Sequence, residues 1–300
     1  MGRGDEIVAV TGATGRLGAR LALRLAAEGA RQRLVGRDPA RMPRLPDGGR
    51  LPEAQEAVIG SYADGEGLRR AFDGATTVFL VSGREGPDRV AQHRAVVDAA
   101  VAAGVERVVY TSFAGAAPDA VFTFARDHWA TEEHVRASGL RWTFLRDNLY
   151  HHALTLFVGP DGVIRGPAGE GRVASVSHDD VADVATAVLL DERARRHDGR
   201  VYELTGPEAL TLAEVAEVLT SVTGRPVRYE PETLEEAYAS RSGYDVGPQV
   251  VEGWVTSYTA IAAGELAHVS DDVEHLVGRP ARSLARWLDD YPDQWAHLAR

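Results

Sequence analysis

Three glycines, each three residues from the next, mark the first place where this chain can do chemistry. In VAVTGATGRLG a short apolar run ends at Thr11, and Gly12, Gly15 and Gly18 follow as a helical pattern begins. Gly12 permits a tight turn, Gly15 lets backbone approach a pyrophosphate without an intervening Cβ, and Gly18 lets the helix pack close to the strand. The N–H groups at the helix start, with their partial positive charge, suit phosphates. Glycines alone could make a mere turn. Their place after the first strand of an alternating β/α chain gives them the dinucleotide reading.

The end of the second strand should choose the cofactor. An acidic residue there holds a ribose hydroxyl, whereas arginine suits a 2′-phosphate. The stretch LVGRDPARM places Arg37 just past the strand and Arg41 within a turn of it, which favours NADP(H) over NAD(H). Asp38 can serve a ribose, or can cap a helix that has Pro39 at its first position. Further strand ends should line the same ligand: Ser82 and Gly83 after strand four, and Thr111 and Ser112 at the end of strand five. Asp64 in SYAD falls on the adenine side, or caps the helix that begins there.

Proton chemistry has three candidates. Ser112 can hydrogen-bond a substrate oxygen, or bond backbone as a loop hydroxyl. His128, in RDHW, opens a helix near the expected nicotinamide and has an ordinary pKa suited to acid–base work near neutrality; it can also pair with Asp127 or sit on a solvated helix start. Tyr150, in LRDNLYHH, can stack on nicotinamide, point at substrate or pack in a core. His151 and His152 are adjacent, so they do not share a helix face, and no His-x-x-x-His spacing completes a metal site. No metal is expected.

These residues must be positioned by elements that the pattern supplies. Strand-like runs fall at 6–11, 32–36, 56–60, 76–81, 107–112 and 141–146, with helical stretches between them. The stretch DPARMPRL reads as helical, as does 126–139. Gly29, Gly74, Gly104 and Gly139 stand at helix stops. Near-continuous apolar strands separated by helices mean a parallel sheet covered on both faces, a doubly wound α/β Rossmann fold with ligands at the carboxyl ends of the strands. Beyond 147 come a helix at HDDVADVATAVLLDE capped from His178–Asp180, a strand in GRVYELTG, and a helix with Thr211 as N-cap. Mainly helical stretches bearing Trp254, Tyr258, Trp287 and Trp295 finish the chain. The expected organisation is a dinucleotide-binding domain over 1–150 and a smaller, mostly helical substrate lobe over 151–300, with some of its segments rejoining the sheet.

Composition narrows the chemistry. All 33 basic residues are arginine, and there is no cysteine. A Schiff-base lysine, a P-loop lysine, a Tyr-x-x-x-Lys pair, a thiolate nucleophile and a disulfide are therefore ruled out. The formal charge of −11 argues against nucleic-acid or anionic-membrane binding. No apolar run has the length of a signal peptide core or a membrane span, so a cytoplasmic location is expected. Aromatic residues of the last helices can make a homodimer contact or be buried in the lobe.

With these residues in view, the runs TGATGRLG, GRDPARM, AQHRAVVDAAVAAGVERVVYTS, ATEEHVRASGLRWTFLRDNLY and GPAGEGRVASVSHDDVADVATAVL resemble the NmrA-like branch of the atypical short-chain dehydrogenases, and within it the bacterial NAD(P)H:quinone oxidoreductases. The resemblance covers nearly the whole chain. It implies that Gly12, Ala13, Thr14, Gly15, Arg16 and Leu17 hold the pyrophosphate, that Arg37 with Arg41 holds the 2′-phosphate, and that Asn148, Leu149, Tyr150, His151 and His152 run beside the nicotinamide. Ser112 matches the short-chain dehydrogenase serine. Trp129 and Glu133 stand where those enzymes keep Tyr and Lys, and His151-His152 replaces the Glu-Asn frequent in relatives. The expected reaction is hydride transfer from NADPH to a quinone or other small conjugated carbonyl, which needs no dedicated proton donor because the cofactor carries the difficult step. Phe113, Phe122, Phe124 and Trp129 can line an aromatic wall for a flat acceptor, or be core. A regulatory protein that senses NADP(H) without turnover and a narrow-substrate tailoring reductase are the competing expectations.

Overall fold

The computed structural model describes residues 6–299; residues 1–5 and 300, included in the two expected domain ranges, lie outside the described residues. The chain begins β1 (Val8–Val10), α1 (Arg16–Ala27), β2 (Gln32–Gly36), β3 (Ala54–Val58), α2 (Gly65–Phe72), β4 (Thr77–Leu80), α3 (Arg89–Ala102) and β5 (Arg107–Phe113). It continues through α4 (Thr123–Ala137), β6 (Arg141–Asp147), α5 (His151–Leu156), β7 (Val163–Gly166), β8 (Arg172–Val173), α6 (His178–Leu190), β9 (Arg200–Leu204) and β10 (Leu210–Thr211). It ends with α7 (Leu212–Thr223), β11 (Arg228–Pro231), α8 (Leu234–Arg241), α9 (Pro248–Ala262), α10 (Asp272–Val277) and α11 (Leu284–Asp290).

Seven strands form one sheet in the order β3-β2-β1-β4-β5-β6-β9. The pairs β1–β2, β1–β4, β2–β3 and β4–β5 run parallel. This is the doubly wound α/β architecture that the apolar strands demand. All seven residues of β5 are buried, as expected of a strand covered on both faces. Chain order reverses between β1 and β4, the switch point at which such sheets open a crevice for ligands.

The chain divides into two compact units. One comprises residues 1–112, 127–145 and 181–202, and the other 113–126, 146–180 and 203–300. The single boundary near residue 150 expected from sequence is replaced by several crossings, because residues 113–126 leave the strands' unit while most of α6 and of β9 join it. The first unit has its own core, built on Leu68, Phe72, Val78, Val97, Tyr110 and Phe144. The second unit holds helices and two small two-stranded sheets, β10–β8 and β11–β7. Its core gathers Phe113, Phe122, Phe124, Tyr258 and Trp287. Phe122 packs edge-on to Phe113 at 5.0 Å and to Phe124 at 5.7 Å. These three rings are core, not an acceptor-facing wall. Trp129 is half-buried in the first unit under the Arg136 guanidinium.

Local signals resolve in physical terms. β3 lies two residues earlier than its apolar run, because its register is set by β2, with Gln32 opposite Ala54. DPARMPRL makes only a 3₁₀ turn at Pro39–Arg41, since Pro43 and Pro46 cannot continue a helix. α4 begins at Thr123, so His128 is mid-helix and does not open it. Ser177, rather than His178–Asp180, caps α6: its Oγ accepts from the Asp180 N–H at 2.9 Å. Thr211 caps α7 in a reciprocal capping box with Glu214.

Candidate functional site

The loop after β1 is shaped by backbone approaches that only glycine allows. Gly12 adopts φ +59°. A Cβ on Gly18 would stand 2.3 Å from the Gly12 carbonyl oxygen. The Gly15 N–H donates to that same oxygen at 2.8 Å. Gly15 is the N-cap of α1 and makes no side-chain cap hydrogen bond to its first turn. Ala13 is wholly buried, and its N–H donates to the Val35 carbonyl, tying the loop to β2.

A cavity of about 390 Å³ opens at this loop. It is lined by Gly12, Thr14, Gly15, Arg37, Ser82 and Gly83 among the residues singled out from sequence. Their elements converge at the switch point, with Arg37 directly after β2 and Ser82–Gly83 after β4. Of the other expected cofactor residues, Asn148, Leu149 and Tyr150 belong to the second unit, and the rest stand elsewhere in the first. Leu17 and Gly18 are buried on α1, and Arg16 and Arg41 are exposed. Asp64 caps α2, accepting from the Gly67 N–H at 2.9 Å and the Gly60 N–H at 3.2 Å. Asp38 accepts from the Ala40 N–H at 2.9 Å, which makes it the cap of its turn. Thr111 is buried, and its Oγ1 accepts from the Ser82 N–H at 3.0 Å.

Several lining residues were not read from the sequence. Tyr62 lines the cavity, with its Oη 2.8 Å from Thr11 Oγ1 and 3.0 Å from the Val81 carbonyl. Burial pushes its phenol up to about 12, so it remains a neutral hydrogen-bonding group. Arg84, Arg89 and Gln92 line the wall next to Gly83. Tyr62 sits in the same SYAD stretch that drew attention to Asp64; an aromatic residue two before a helix cap was the available signal.

The proton-handling candidates are engaged with protein groups. Ser112 is fully buried and donates to Glu132 Oε1 at 2.6 Å. Glu132, also fully buried, is held in turn by Arg136 at 2.9 Å. His128 is 4% exposed and does not line the cavity. Its Nε2 lies 2.8 Å from an Arg89 guanidinium nitrogen and its Nδ1 2.8 Å from Tyr110 Oη. Guanidinium only donates, so Nε2 is the acceptor and the ring is neutral. Glu133 is exposed and paired with Arg136.

In the second unit, Asn148 is buried, donates to the Leu266 carbonyl at 3.0 Å and accepts from the Leu149 N–H at 2.7 Å. Tyr150 donates to Asp147 Oδ2 at 2.6 Å and stacks on His178 with ring centroids 3.7 Å apart. Burial, followed by the Asp147 charge, holds its pKa well above the usual phenol value. His151 is buried between Ser175 Oγ at 2.8 Å and the Arg282 carbonyl at 3.0 Å. Among the described residues no group of three or more His, Asp or Glu could hold a metal ion. No helix among them is long and apolar enough to cross a membrane.

Two buried imidazoles, His151 and His93 of α3, make stability depend on pH. Desolvation lowers His93 to about 3 and His151 to about 4. Below about pH 6.5 the unfolded chain protonates each ring while the folded chain does not. Stability is therefore complete above that pH and falls toward pH 4, by about 1.4 kcal/mol per pH unit for each ring. Urea unfolding at pH 7.5, 6 and 5 measures the slope, and His151→Gln should flatten it. Equal stability at all three pH values would refute the assignment.

Residues 4–256 match the NmrA-like family. The chain belongs to the NmrA-like family. It is 36% identical over 97% of its length, and 99% of the relative's, to a (4-alkanoyl-5-oxo-2,5-dihydrofuran-3-yl)methyl phosphate reductase of Streptomyces griseus subsp. griseus. It is 31% identical to an NAD(P)H azoreductase of Xenophilus azovorans, covering 94% of this chain and 96% of that one. The crystal structure of an NADPH-dependent quinone oxidoreductase of Escherichia coli in complex with NADPH superposes with a TM-score of 0.83 at 29% identity, covering 94% of this chain and 99% of the other. These relatives place this NmrA-like chain among the oxidoreductases.

Proposed function

We propose that this NmrA-like protein is an NADPH-dependent reductase of small conjugated carbonyl compounds, quinones among them. The observation that carries the reading is one cavity that brings Gly12 and Gly15 together with Arg37. The glycines leave room for a pyrophosphate at the start of α1, and Arg37 supplies a permanent charge for a 2′-phosphate. The cofactor, when bound, supplies hydride from its nicotinamide. This chain's own residues bind and orient: Thr14 and Gly15 frame the loop, Arg37 fixes the adenosine end, and the Ser82–Gly83 turn walls the cavity. The relatives support the acceptor class, since quinones and acylated dihydrofuranones are both conjugated carbonyl compounds. Of Ser112, His128 and Tyr150, only Tyr150 is not buried, so of the three it is the proton-handling candidate that a ligand could still reach. The remaining proton comes from water.

Loss of NADPH absorbance with a panel of quinones, azo dyes and unsaturated lactones tests the reading, beside a fluorescence titration with NADPH. Acceptor-dependent oxidation is expected. Binding without oxidation of any acceptor would turn the reading toward a cofactor sensor, and absence of NADPH binding would overturn it.

A further inference from the structure

Three successive backbone N–H groups of the turn after β4 are tied to side chains from three different elements. The Val81 N–H donates to Thr11 Oγ1 at 3.0 Å, at the end of β1. The Ser82 N–H donates to Thr111 Oγ1 at 3.0 Å, on β5. The Gly83 N–H donates to His93 Nε2 at 2.7 Å, on α3. A backbone donor requires an acceptor, so Nε2 carries no proton. The other ring nitrogen, Nδ1, lies 2.9 Å from Thr131 Oγ1. That hydroxyl donates to the Asp127 carbonyl at 2.8 Å, so it is free to accept from Nδ1–H. His93 is wholly buried, and burial, aided by the Arg89 charge, keeps it neutral. The contacts with Gly83 and Thr131 together specify one tautomer, with the proton on Nδ1; Tyr110 Oη stands farther off, 3.5 Å from the same nitrogen.

We propose that His93 is a positioning residue for the dinucleotide cavity: a tautomer-locked imidazole that fixes the Gly83 peptide so that the Ser82–Gly83 turn keeps the shape a ligand meets. The inference rests on the assignment of this cavity to NADPH. Without the imidazole acceptor, the Gly83 N–H must find water, and the turn opens toward the cavity. The binding-competent fraction of the turn then falls, and the apparent affinity falls in proportion. Losing the acceptor for this partly buried donor corresponds to about a tenfold loss of affinity. Glutamine in place of His93 can restore an acceptor near the Nε2 position and a donor toward Thr131; leucine keeps the volume and restores neither.

The test compares NADPH affinity by fluorescence for wild type, His93→Gln and His93→Leu. It adds the kcat of each at saturating NADPH and the ¹⁵N spectrum of labelled histidines in wild type. The expected result has four parts: about a tenfold weaker NADPH affinity in His93→Leu, near-wild-type affinity in His93→Gln, little change in kcat, and an Nδ1–H tautomer for His93 across pH 5.5–8. Equal affinity in all three proteins, equal loss in both variants, or a proton on Nε2 would each overturn the proposal. Should His93→Leu not fold, His93→Gln and the tautomer decide the matter. A wild type that fails to bind NADPH would instead overturn the function assigned to the cavity, while the ¹⁵N spectrum still reports on the lock itself.

Discussion

Gly18→Ala is expected to lose both fold stability and NADPH binding, whereas Gly15→Ala should lose binding alone. The new Cβ at position 18 would lie 2.3 Å from the Gly12 oxygen, 2.7 Å from the Gly12 carbonyl carbon and 3.0 Å from the Ala13 Cα. All three are backbone atoms, so no rotamer change relieves the clash. Either α1 slides away from β1 or the loop opens, at a cost of about 1–3 kcal/mol, on the order of 5 °C in melting temperature. The loop that moves is the one that should cradle a pyrophosphate, so affinity should fall more than about tenfold. At Gly15 the added carbon meets only the Gly12 oxygen, at 3.1 Å. The chain can give that much, yet the methyl group would occupy the cavity wall. Thermal melts beside NADPH titrations separate the two effects. A Gly18→Ala protein with wild-type melting and affinity would show that the loop tolerates a side chain where the backbone leaves none the room.

Arg37→Ala is expected to weaken NADPH by about 10–100-fold, the loss of one charge-assisted phosphate contact, and to leave NADH nearly unchanged. Arg37 is exposed at the cavity wall directly after β2. Asp38, the residue that could instead favour NADH, spends its carboxylate on the Ala40 N–H. Arg41→Ala provides the control: it is exposed on the 3₁₀ turn and does not line the cavity, so the effect should be small. Affinities for both cofactors, measured in the three proteins, give the answer. Equal losses for NADPH and NADH in Arg37→Ala would mean that the guanidinium does not read the 2′-phosphate.

The sheet was legible in the sequence for a physical reason. A strand covered on both faces must be apolar throughout, and β4 and β5 read that way. The phosphate loop was legible because Gly12 takes a positive φ that L side chains rarely adopt and Gly18 leaves no room for a Cβ. The network of His93, Tyr110, His128 and Arg89 was not legible. Its members come from α3, β5 and α4, and the bonds join residues 17 to 39 positions apart. A histidine in a helical run says nothing of which face it occupies or which tautomer its neighbours impose. Ser112 shows the same limit: its type and place suited catalysis, yet a fully buried Glu132 twenty residues later claims its hydroxyl. Glu133 stood out in the sequence; Glu132, its neighbour, is the one turned inward.

The interleaving of the two units bears on how the chain is made. A ribosome that has released residue 150 has supplied six strands of the large sheet, but not β9, the neighbour of β6. Nor has it supplied α6, whose Val181, Ala182, Val184, Ala185 and Val188 are wholly buried. The nascent sheet must wait until residue 202, several seconds at about 5–20 residues per second, with an unpaired strand edge and an uncovered apolar face. During that interval it is open to mispairing with other chains. A truncated chain ending near residue 150, cut at the apparent boundary in the sequence, would make the interval permanent and should accumulate as insoluble material.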